Sequence, residues 1–352
     1  MRVFHCDHCN LPIFFENVLC GRCGHKLAYL PDVKLVASLE RERESDIWRS
    51  PAPRAAGCRY QLCVNYTSHN ICNWAVPADD PNPLCLSCRL TKIIPNLDRP
   101  ENQIAWGRLE AAKRRLIYSL IELRLPLGNE LNVRRKLEFR FMSDPEGGPR
   151  VLTGHADGVI TVNIDEADDV VREKRRVSMH EPYRTLLGHF RHEVGHYYWD
   201  LLINDTPRLQ AFRNLFGDER ADYAESIQKH YAQGPDPNWQ NRCVSAYASV
   251  HPWEDWAETW AHYLHMTDAL ETAARAGLSL RPDREDEPAM EKQPQRPARE
   301  QRFEEIIANW FPLTYILNNL NRGMGLADPY PFVLTQPALD KLRFVHETIC
   351  AS

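Results

Sequence analysis

In the segment GHFRHEVGHYYWD, His192 and His196 are four residues apart, and Glu193 directly follows His192. On an α-helix, residues four positions apart lie on one face. His192 and His196 could therefore offer two imidazole nitrogens to one Zn²⁺ ion. Glu193 lies about 100° around the helix, where its carboxylate could take a proton from a water at the metal without binding the metal. The H-E-x-x-H pattern predicts the active-site helix of a zinc metallopeptidase.

A catalytic zinc needs one more protein ligand, because such sites use three protein ligands and a water. A candidate segment is HPWEDWAETW, in which Pro252 suits the first position of a helix. Glu254 and Glu258 lie on one face of that helix, flanked by tryptophans and alanines. Carboxylates beside so much apolar surface need a partner, and a metal ion is one.

A cysteine pattern marks the N-terminal region, where nine of the 11 cysteines fall within the first 88 residues. Two C-x2-C pairs at short separation can direct four thiolates at one structural zinc. These four are Cys6, Cys9, Cys20 and Cys23. The nearby His5, His8 and His25 are expected not to bind the ion, because the four sulfurs already complete its shell.

A second cysteine set follows and predicts a second structural zinc with longer loops. Its members are Cys63, Cys72, Cys85 and Cys88. Cys58 is left as a spare thiol, although it could replace Cys63. The rival interpretation is a set of disulfides in a secreted protein. The first residues, MRVFHCDHC, lack the apolar segment of a signal peptide, so metal sites in a cytoplasmic protein are expected.

The chain resembles the bacterial zinc-binding metallopeptidases that carry an N-terminal zinc ribbon, and the resemblance runs nearly end to end. More distantly, residues 192–196 and 247–258 resemble the gluzincin lethal-factor-type proteases, whose zinc is held by H-E-x-G-H and a later glutamate. In that pattern a tyrosine precedes the ligand glutamate by seven residues, and a second glutamate follows it by four. Tyr247, Glu254 and Glu258 have this spacing.

The resemblance implies a role for each of these residues. Glu254 would be the third zinc ligand, Tyr247 would stabilise the oxyanion with its phenol, and Glu258 would orient a ligand histidine. The stretch between His196 and Glu254 is longer than in the lethal-factor pattern. Glu219, in GDERADYAE, falls closer to the spacing of thermolysin-like enzymes and remains the competing third ligand.

Composition limits the class of protein. The chain has 352 residues, a net charge of −5, a pI near 6.3 and a mean hydropathy of −0.51. No apolar run approaches the length of a membrane span, so a soluble protein without membrane contact is expected. The acidic balance argues against nucleic-acid binding.

The expected fold class is α+β, with zinc-ribbon modules followed by a mostly helical zincin-like metallopeptidase domain that contains a small sheet. Residues 1–32 are assigned to the ribbon, 33–57 to a linker and 58–100 to the second tetracysteine module. Residues 101–352 form the peptidase domain, in which the proline-rich and charged segment 278–300 is expected to be a flexible loop.

Within the peptidase domain, the pattern from Trp106 to Leu123 predicts a helix. Residues 137–142 and 158–164 predict strands, and Pro182 can open the helix that holds the H-E-x-x-H segment. Two strands ahead of an active-site helix suit the zincin plan, in which an edge strand lines the cleft and pairs with extended substrate.

These features predict a zinc-dependent peptidase with one catalytic and two structural zinc ions. Zn²⁺ would activate a water that attacks the peptide bond, with Glu193 as the general base. The substrate is a protein or peptide, and the cysteine modules would position it or a protein partner. The rival hypothesis is a zinc-ribbon adaptor with a non-catalytic zincin-like domain, against which the intact Glu193 argues.

Overall fold

The computed structural model of the chain describes residues 1–128, 135–145, 147–178, 184–284, 286, 290–292 and 301–352. The strands in these residues are β1 (Phe4–His5), β2 (Pro12–Ile13), β3 (Lys26–Leu30), β4 (Leu35–Arg41), β5 (Trp48–Arg49), β6 (Tyr60–Leu62), β7 (Ala75–Pro77), β8 (Thr91–Ile93), β9 (Glu138–Met142), β10 (Gly154–Ala156) and β11 (Val159–Asn163). The helices are α1 (Val64–Thr67), α2 (Pro100–Glu122), α3 (Asp169–Ser178), α4 (Leu186–Leu202), α5 (Leu209–Phe216), α6 (Tyr223–Gln233), α7 (Pro252–Arg275), α8 (Phe303–Gly323) and α9 (Gln336–Cys350).

The N-terminal region contains two antiparallel sheets. β1 and β2 form a small hairpin next to the first cysteine pair, with Phe4 opposite Ile13. Strands β3 to β7 form a five-stranded sheet in chain order. Tyr29 on β3 also bridges to Trp74, just before β7, and the Tyr29 amide donates to the carbonyl of Asn73 at 2.8 Å. The first and last strands therefore lie side by side, and the sheet curls around its own core.

Residues 33–57 were expected to be a linker but contain β4 and β5. The arginines and prolines of this segment suggested a linker, whereas the run LVASL within it pairs with β3 and buries Val36, Ala37 and Leu39. Pairing of β5 with β6 then connects this segment to the second cysteine set. The two cysteine modules are thus parts of one sheet-containing unit.

A third sheet, with four strands, has the order β10-β11-β9-β8. Its three strands β11, β9 and β8 run parallel, and β10 is an antiparallel edge strand. Asp157 and Gly158, both with positive φ, make the two-residue turn between β10 and β11, as the Asp-Gly signal indicates. β8 at residues 91–93 precedes the expected domain boundary at residue 100, so the sheet of the C-terminal region takes one strand from the cysteine-rich region.

The long helices correspond to the expected ones. α2 covers the predicted helix, and Pro100 occupies its first turn. α4 begins after Thr185, whose side chain accepts a hydrogen bond from the Gly188 amide. Pro182, expected to open this helix, lies outside the described residues. α7 begins at Pro252, and the His251 side chain caps its first turn.

After α7, the chain enters the segment 278–300. Its described residues contain no helix, and Leu280 pairs with Lys292 in an isolated bridge. The remainder of the expected loop lies outside the described residues. None of the helices in the described ranges has the length and apolar character that a bilayer span requires.

An aromatic cluster joins the cysteine-rich region to the helical region. Phe15 packs on Tyr29 and Trp74 in the first region and on Tyr118 of α2 in the second, with ring centroids 5.1 to 6.3 Å apart. These side chains are buried in one continuous core. The α+β fold class, with cysteine clusters followed by a mostly helical domain, is confirmed.

Candidate active site

Helices α4 and α7 bring three of the predicted zinc ligands together. The Nε2 atoms of His192 and His196 lie 3.2 Å apart. Glu254 Oε2 is 3.0 Å from the His192 Nε2 atom and 3.7 Å from that of His196. The three atoms form a compact triangle at the interface of the two helices, where His196 and Glu254 are buried.

The triangle has dimensions that suit zinc. With metal–ligand bonds of about 2.0–2.1 Å, tetrahedral angles place ligand atoms about 3.3–3.4 Å apart. The observed separations of 3.0, 3.2 and 3.7 Å bracket that value. Glu254 Oε2 is buried and faces the Nε2 atoms of both histidines, so a cation bound between these three atoms would satisfy all of them. Two imidazoles and one carboxylate also leave a fourth position for water.

Close packing of the helices depends on Gly195. A Cβ atom at this position would lie 3.0 Å from the Ala257 Cα atom and 3.2 Å from the Trp260 Cβ atom. The Gly195 carbonyl accepts a hydrogen bond from the Trp256 indole at 2.8 Å. The element that approaches Gly195 is therefore α7. That approach brings Glu254, in the first turn of α7, to the histidines.

Glu258 lies one turn beyond Glu254 and contacts the other side of His192. Its Oε1 atom is 2.7 Å from the His192 Nδ1 atom, and its Oε2 atom accepts from the Ser245 hydroxyl at 2.6 Å. With a metal ion at the triangle, the hydrogen of His192 would stay on Nδ1, which faces Glu258, and Nε2 would direct its lone pair at the ion. This arrangement places Glu258 where a carboxylate orients a ligand histidine.

The charges around His192 favour a cation at the site. Burial alone would lower the pKa of His192, but Glu254 and Glu258 outweigh it and hold that pKa well above its usual value. Burial likewise opposes ionisation of Glu258, but the contact with His192 prevails and lowers the pKa of Glu258 to about 2. The pKa of Glu254 is well below its usual value, because His196 and His192 outweigh its burial. Both carboxylates are therefore charged at neutral pH.

Two tyrosines lie beside the site. The Tyr247 ring is 6.0 Å from the His192 ring and also 6.0 Å from that of His230. Both of these ring neighbours are histidines. Burial, followed by the charge of Glu254, holds the pKa of Tyr247 far above its usual value. Its phenol is thus a hydrogen-bond donor at neutral pH. The second tyrosine, Tyr223, begins α6, and its hydroxyl donates to Glu254 Oε1 at 2.6 Å.

Glu219, the competing candidate for third ligand, is not part of the triangle. Glu219 pairs with the guanidinium of Arg213, with 2.9 Å between the Glu219 Oε2 and Arg213 Nε atoms. This ion pair lowers the pKa of Glu219, so its carboxylate is already balanced by a cation. The geometry therefore favours Glu254 as the third ligand.

The four sulfurs of the first cysteine set also lie together. The Sγ atoms of Cys6 and Cys23 are 3.6 Å apart, and those of Cys9 and Cys20 are 3.5 Å apart. For zinc–sulfur bonds of about 2.3 Å, a tetrahedron requires about 3.8 Å. The rings of His8 and His25 stack nearby, and each offers a nitrogen within 4.8 Å of the Cys23 sulfur. That these histidines bind no metal stays a prediction.

The second cysteine set forms a more buried cluster from Cys63, Cys72, Cys85 and Cys88. The Sγ atom of Cys72 is 3.8 Å from that of Cys85 and 3.6 Å from that of Cys88. Backbone amides of Trp74, Cys85 and Cys88 donate to sulfurs of the cluster. Such donation stabilises thiolates. Cys58 is not part of this group, and all eleven cysteines of the chain are free of disulfides.

Several residues near the site carry weak signals in the sequence. Tyr223 lies in the GDERADYAE segment, where the carboxylates drew attention, and its position after the helix-capping Asp222 is the only local cue. His155 lies on the edge strand β10, just before the Asp-Gly turn, with its ring centroid 6.2 Å from that of His196. Ser245 becomes relevant through its bond to Glu258, a contact that no spacing rule predicts.

Comparison with known families agrees with this architecture. The fold and site define a chain with an N-terminal zinc-ribbon region and a helical domain that carries a His/His/Glu centre. The chain belongs to the family described as "Putative zinc-binding metallo-peptidase", whose model matches residues 102–348. A model described as a zinc-ribbon domain matches residues 3–99. The resemblance to bacterial zinc-binding metallopeptidases with an N-terminal ribbon is thereby confirmed.

Relatives occur in mycobacteria. Proteins of Mycobacterium tuberculosis and Mycobacterium bovis, each titled an uncharacterized protein, are 43% identical to this chain over 351 residues. The alignments cover 99% of this chain and 95% of each relative, so they include both the ribbon region and the helical domain. No solved structure matches the chain.

Proposed function

We propose that the chain is a zinc-dependent peptidase of the gluzincin type, with His192, His196 and Glu254 as ligands of the catalytic ion. The observation that carries this proposal is the triangle of ligand atoms 3.0 to 3.7 Å apart, with Glu193 on the same helix as the two histidines. Membership in a metallopeptidase family supports it.

Zn²⁺ bound to these residues supplies a Lewis acid that polarises the peptide carbonyl and lowers the pKa of water. Glu193 accepts the proton of the attacking water and passes it to the leaving amine. The Tyr247 phenol donates a hydrogen bond to the carbonyl oxygen as it gains negative charge. Glu258 keeps the hydrogen of His192 on Nδ1, so that Nε2 remains a ligand.

An extended peptide is the substrate that the surrounding sheet favours. β10 is the outer strand of its sheet and contacts α4, the helix of the H-E-x-x-H segment. A strand at a sheet edge has backbone groups that can pair with an added peptide strand. The His155 and His196 rings lie 6.2 Å apart, so a peptide paired with β10 passes close to the ligand histidines.

The two cysteine clusters would each hold a structural zinc, for a total of three ions with the catalytic one. Four thiolates close a tetrahedral site, whereas the His/His/Glu site keeps one position open. Cysteines that form no disulfides suit a reducing compartment such as the cytoplasm. The ribbon region would then position a protein substrate or partner next to the helical domain.

Three substitutions test the assignment of base and ligand. Glu193→Gln should abolish peptide hydrolysis and keep the catalytic zinc, because its role is proton transfer. Glu254→Ala should lose both zinc and hydrolysis. Glu219→Ala is the matched control, because its carboxylate pairs with Arg213 instead of the ligand group. The measurements are zinc content by elemental analysis and cleavage of a mixed peptide library.

Three outcomes of this experiment contradict the proposal. Full zinc occupancy in Glu254→Ala together with zinc loss in Glu219→Ala would show that the third ligand is wrong. A Glu193→Gln variant that cleaves peptides as fast as the parent protein would remove the general base. A protein that binds zinc and cleaves nothing would favour the adaptor hypothesis.

A further inference from the structure

Tyr223 has a contact that no step of the proposed reaction uses. Its hydroxyl donates a 2.6 Å hydrogen bond to Glu254 Oε1. The other oxygen of the same carboxylate, Oε2, faces the Nε2 atoms of His192 and His196. The two carboxylate oxygens of Glu254 therefore have different surroundings. Oε1 accepts a hydrogen bond from the Tyr223 phenol, whereas Oε2 points at the proposed position of the metal.

The Tyr223 ring is held by the start of α7. It lies edge-on against His251 and Trp253, with ring centroids 5.3 and 5.9 Å away. His251 Nδ1 accepts from the Trp253 amide at 3.1 Å, so its Nε2 atom carries the hydrogen and donates to the Ala221 carbonyl at 3.1 Å. His251, which caps the start of α7, thus also binds the backbone at Ala221, two residues before Tyr223.

The rest of α6 adds little to this attachment. None of its residues is buried, and the turns before and after it contain Gly217 and Gly234, both with positive φ. Besides Tyr223, His230 reaches the site through its ring contact with Tyr247. α6 is thus an exposed helix whose first side chain, Tyr223, contacts the buried Glu254 carboxylate. This contact is its main polar attachment, and it lies at the proposed metal centre.

We propose that Tyr223 is a positioning residue that holds Glu254 as a one-oxygen ligand of the catalytic zinc. A carboxylate that binds through both oxygens would occupy two coordination positions, and the fourth position of the ion is the one that water needs. A donor on Oε1 competes with binding of that oxygen to the metal and fixes the carboxylate plane. Tyr223 acts through Glu254, whereas Tyr247 acts on the substrate. This inference rests on the proposed function, because it takes the same three ligands.

Tyr223→Phe tests it, with zinc affinity as the first measurement. Loss of such an outer partner typically costs about 10- to 100-fold in metal affinity or activity. We therefore expect about 10- to 100-fold weaker binding of the exchangeable zinc in competition with a chromophoric chelator. His192→Ala supplies the baseline from the thiolate sites. Tyr315→Phe, an exposed tyrosine on α8, is the matched control and should bind zinc as the parent protein does.

A Co²⁺ spectrum supplies a second measurement that a merely structural role would not change. Cobalt is loaded into the exchangeable site while zinc stays in the thiolate sites. Four-coordinate Co²⁺ absorbs visible light more strongly than five-coordinate Co²⁺, so release of Oε1 in Tyr223→Phe should weaken the absorption. Phenylalanine keeps the ring contacts with His251 and Trp253, and an unchanged Tm verifies that the variant is folded.

The outcomes separate this inference from the function on which it rests. Weaker zinc binding with an altered cobalt spectrum supports the positioning role. Unchanged zinc affinity overturns it, and unchanged affinity with a lower kcat would instead make Tyr223 a group that acts on substrate. If the parent protein itself binds no zinc beyond the His192→Ala baseline, the metal site and the role of Tyr223 both fail, and the defect lies in the proposed function.

Discussion

At the scale of single residues, the chemistry depends on donors whose protons stay in place at neutral pH. Tyr247 and Tyr223 both lie close to Glu254, and burial together with this negative charge holds the pKa values of both phenols far above their usual value. Neither phenol ionises under ordinary conditions. Each can therefore donate a hydrogen bond: Tyr223 donates to the Glu254 carboxylate, and in the proposed reaction Tyr247 would donate to a substrate oxygen.

Tyr247→Phe should lower kcat much more than it raises KM. The phenol donates to an oxygen that becomes negative only as the bond to water forms, so the interaction strengthens in the transition state. Loss of one such donor typically costs about 10²–10³ in kcat. The measurement is steady-state hydrolysis of a cleavable peptide, with zinc content and Tm as controls. Unchanged kcat with a lower Tm would mean that Tyr247 is a structural core residue.

The sequence could predict those site residues whose spacing along the chain follows a known pattern. His192 and His196 follow from helix periodicity, and Glu254 and Glu258 follow from resemblance to a known pattern; the geometry unites these four side chains. Tyr223 could not be predicted in this way. Its contact spans 31 residues and depends on where α6 lies relative to α7, which is a tertiary relation without a local sequence signal.

At the scale of elements, the site lies between helices α4 and α7, which pack closely at Gly195. Gly195 allows this packing, because a Cβ there would meet backbone and Cβ atoms of α7 at 3.0 to 3.3 Å. Tyr198 and Trp260 stack one turn further along, with ring centroids 4.7 Å apart. Separation of α4 from α7 would therefore separate the histidines from Glu254 as well.

Gly195→Ala should lower both Tm and zinc affinity. Overpacking of this kind typically costs about 1–3 kcal/mol. The gain in helix propensity from glycine to alanine offsets about 1 kcal/mol of it. The matched control is Gly323→Ala, at the end of α8, where a Cβ meets nothing within 4 Å. The measurements are thermal unfolding and chelator competition. Equal behaviour of the two variants would contradict the packing role.

The linker expectation fails at this same scale. Composition suggested a break at residues 33–57, but strand pairing is decided here by a short and continuously buried run that charged neighbours obscure. LVASL in β4 is such a run, and it is buried against β3. β8 is even shorter, at three residues, and its partner β9 begins 45 residues later. Pairings of this kind are not encoded in local sequence.

At the scale of the whole molecule, the cysteine-rich region contributes a strand and polar contacts to the helical domain, across the domain boundary expected at residue 100. β8 completes the sheet next to β9, and Thr91 on β8 donates to the buried Glu110 of α2 at 2.7 Å. Lys113, also fully buried, pairs with Glu110 at 2.9 Å. Removal of β8 would expose this ion pair and one side of β9, so the two regions are expected to fold as one unit.

A chain cut to residues 101–352 should therefore fail to fold cooperatively. It loses β8 and the aromatic cover that Phe15 supplies for Tyr118. We expect a broad thermal transition by circular dichroism and binding of a dye specific for exposed apolar surface. The control is the full chain under the same conditions. A sharp transition of the short chain at the Tm of the full chain would show that the helical domain is independent.

Metal removal provides the last prediction for the whole molecule. Two closed thiolate clusters and one open His/His/Glu site should release their ions in a fixed order. A chelator such as 1,10-phenanthroline should first remove one zinc and all hydrolysis while the fold remains, because the open site keeps a position where the chelator can bind. Removal of the remaining two ions should unfold the N-terminal region, since structural zinc contributes folding free energy directly. Elemental analysis and circular dichroism measured along one titration test this order. A parent protein with a single zinc per chain, or one that loses its fold before its activity, would contradict it.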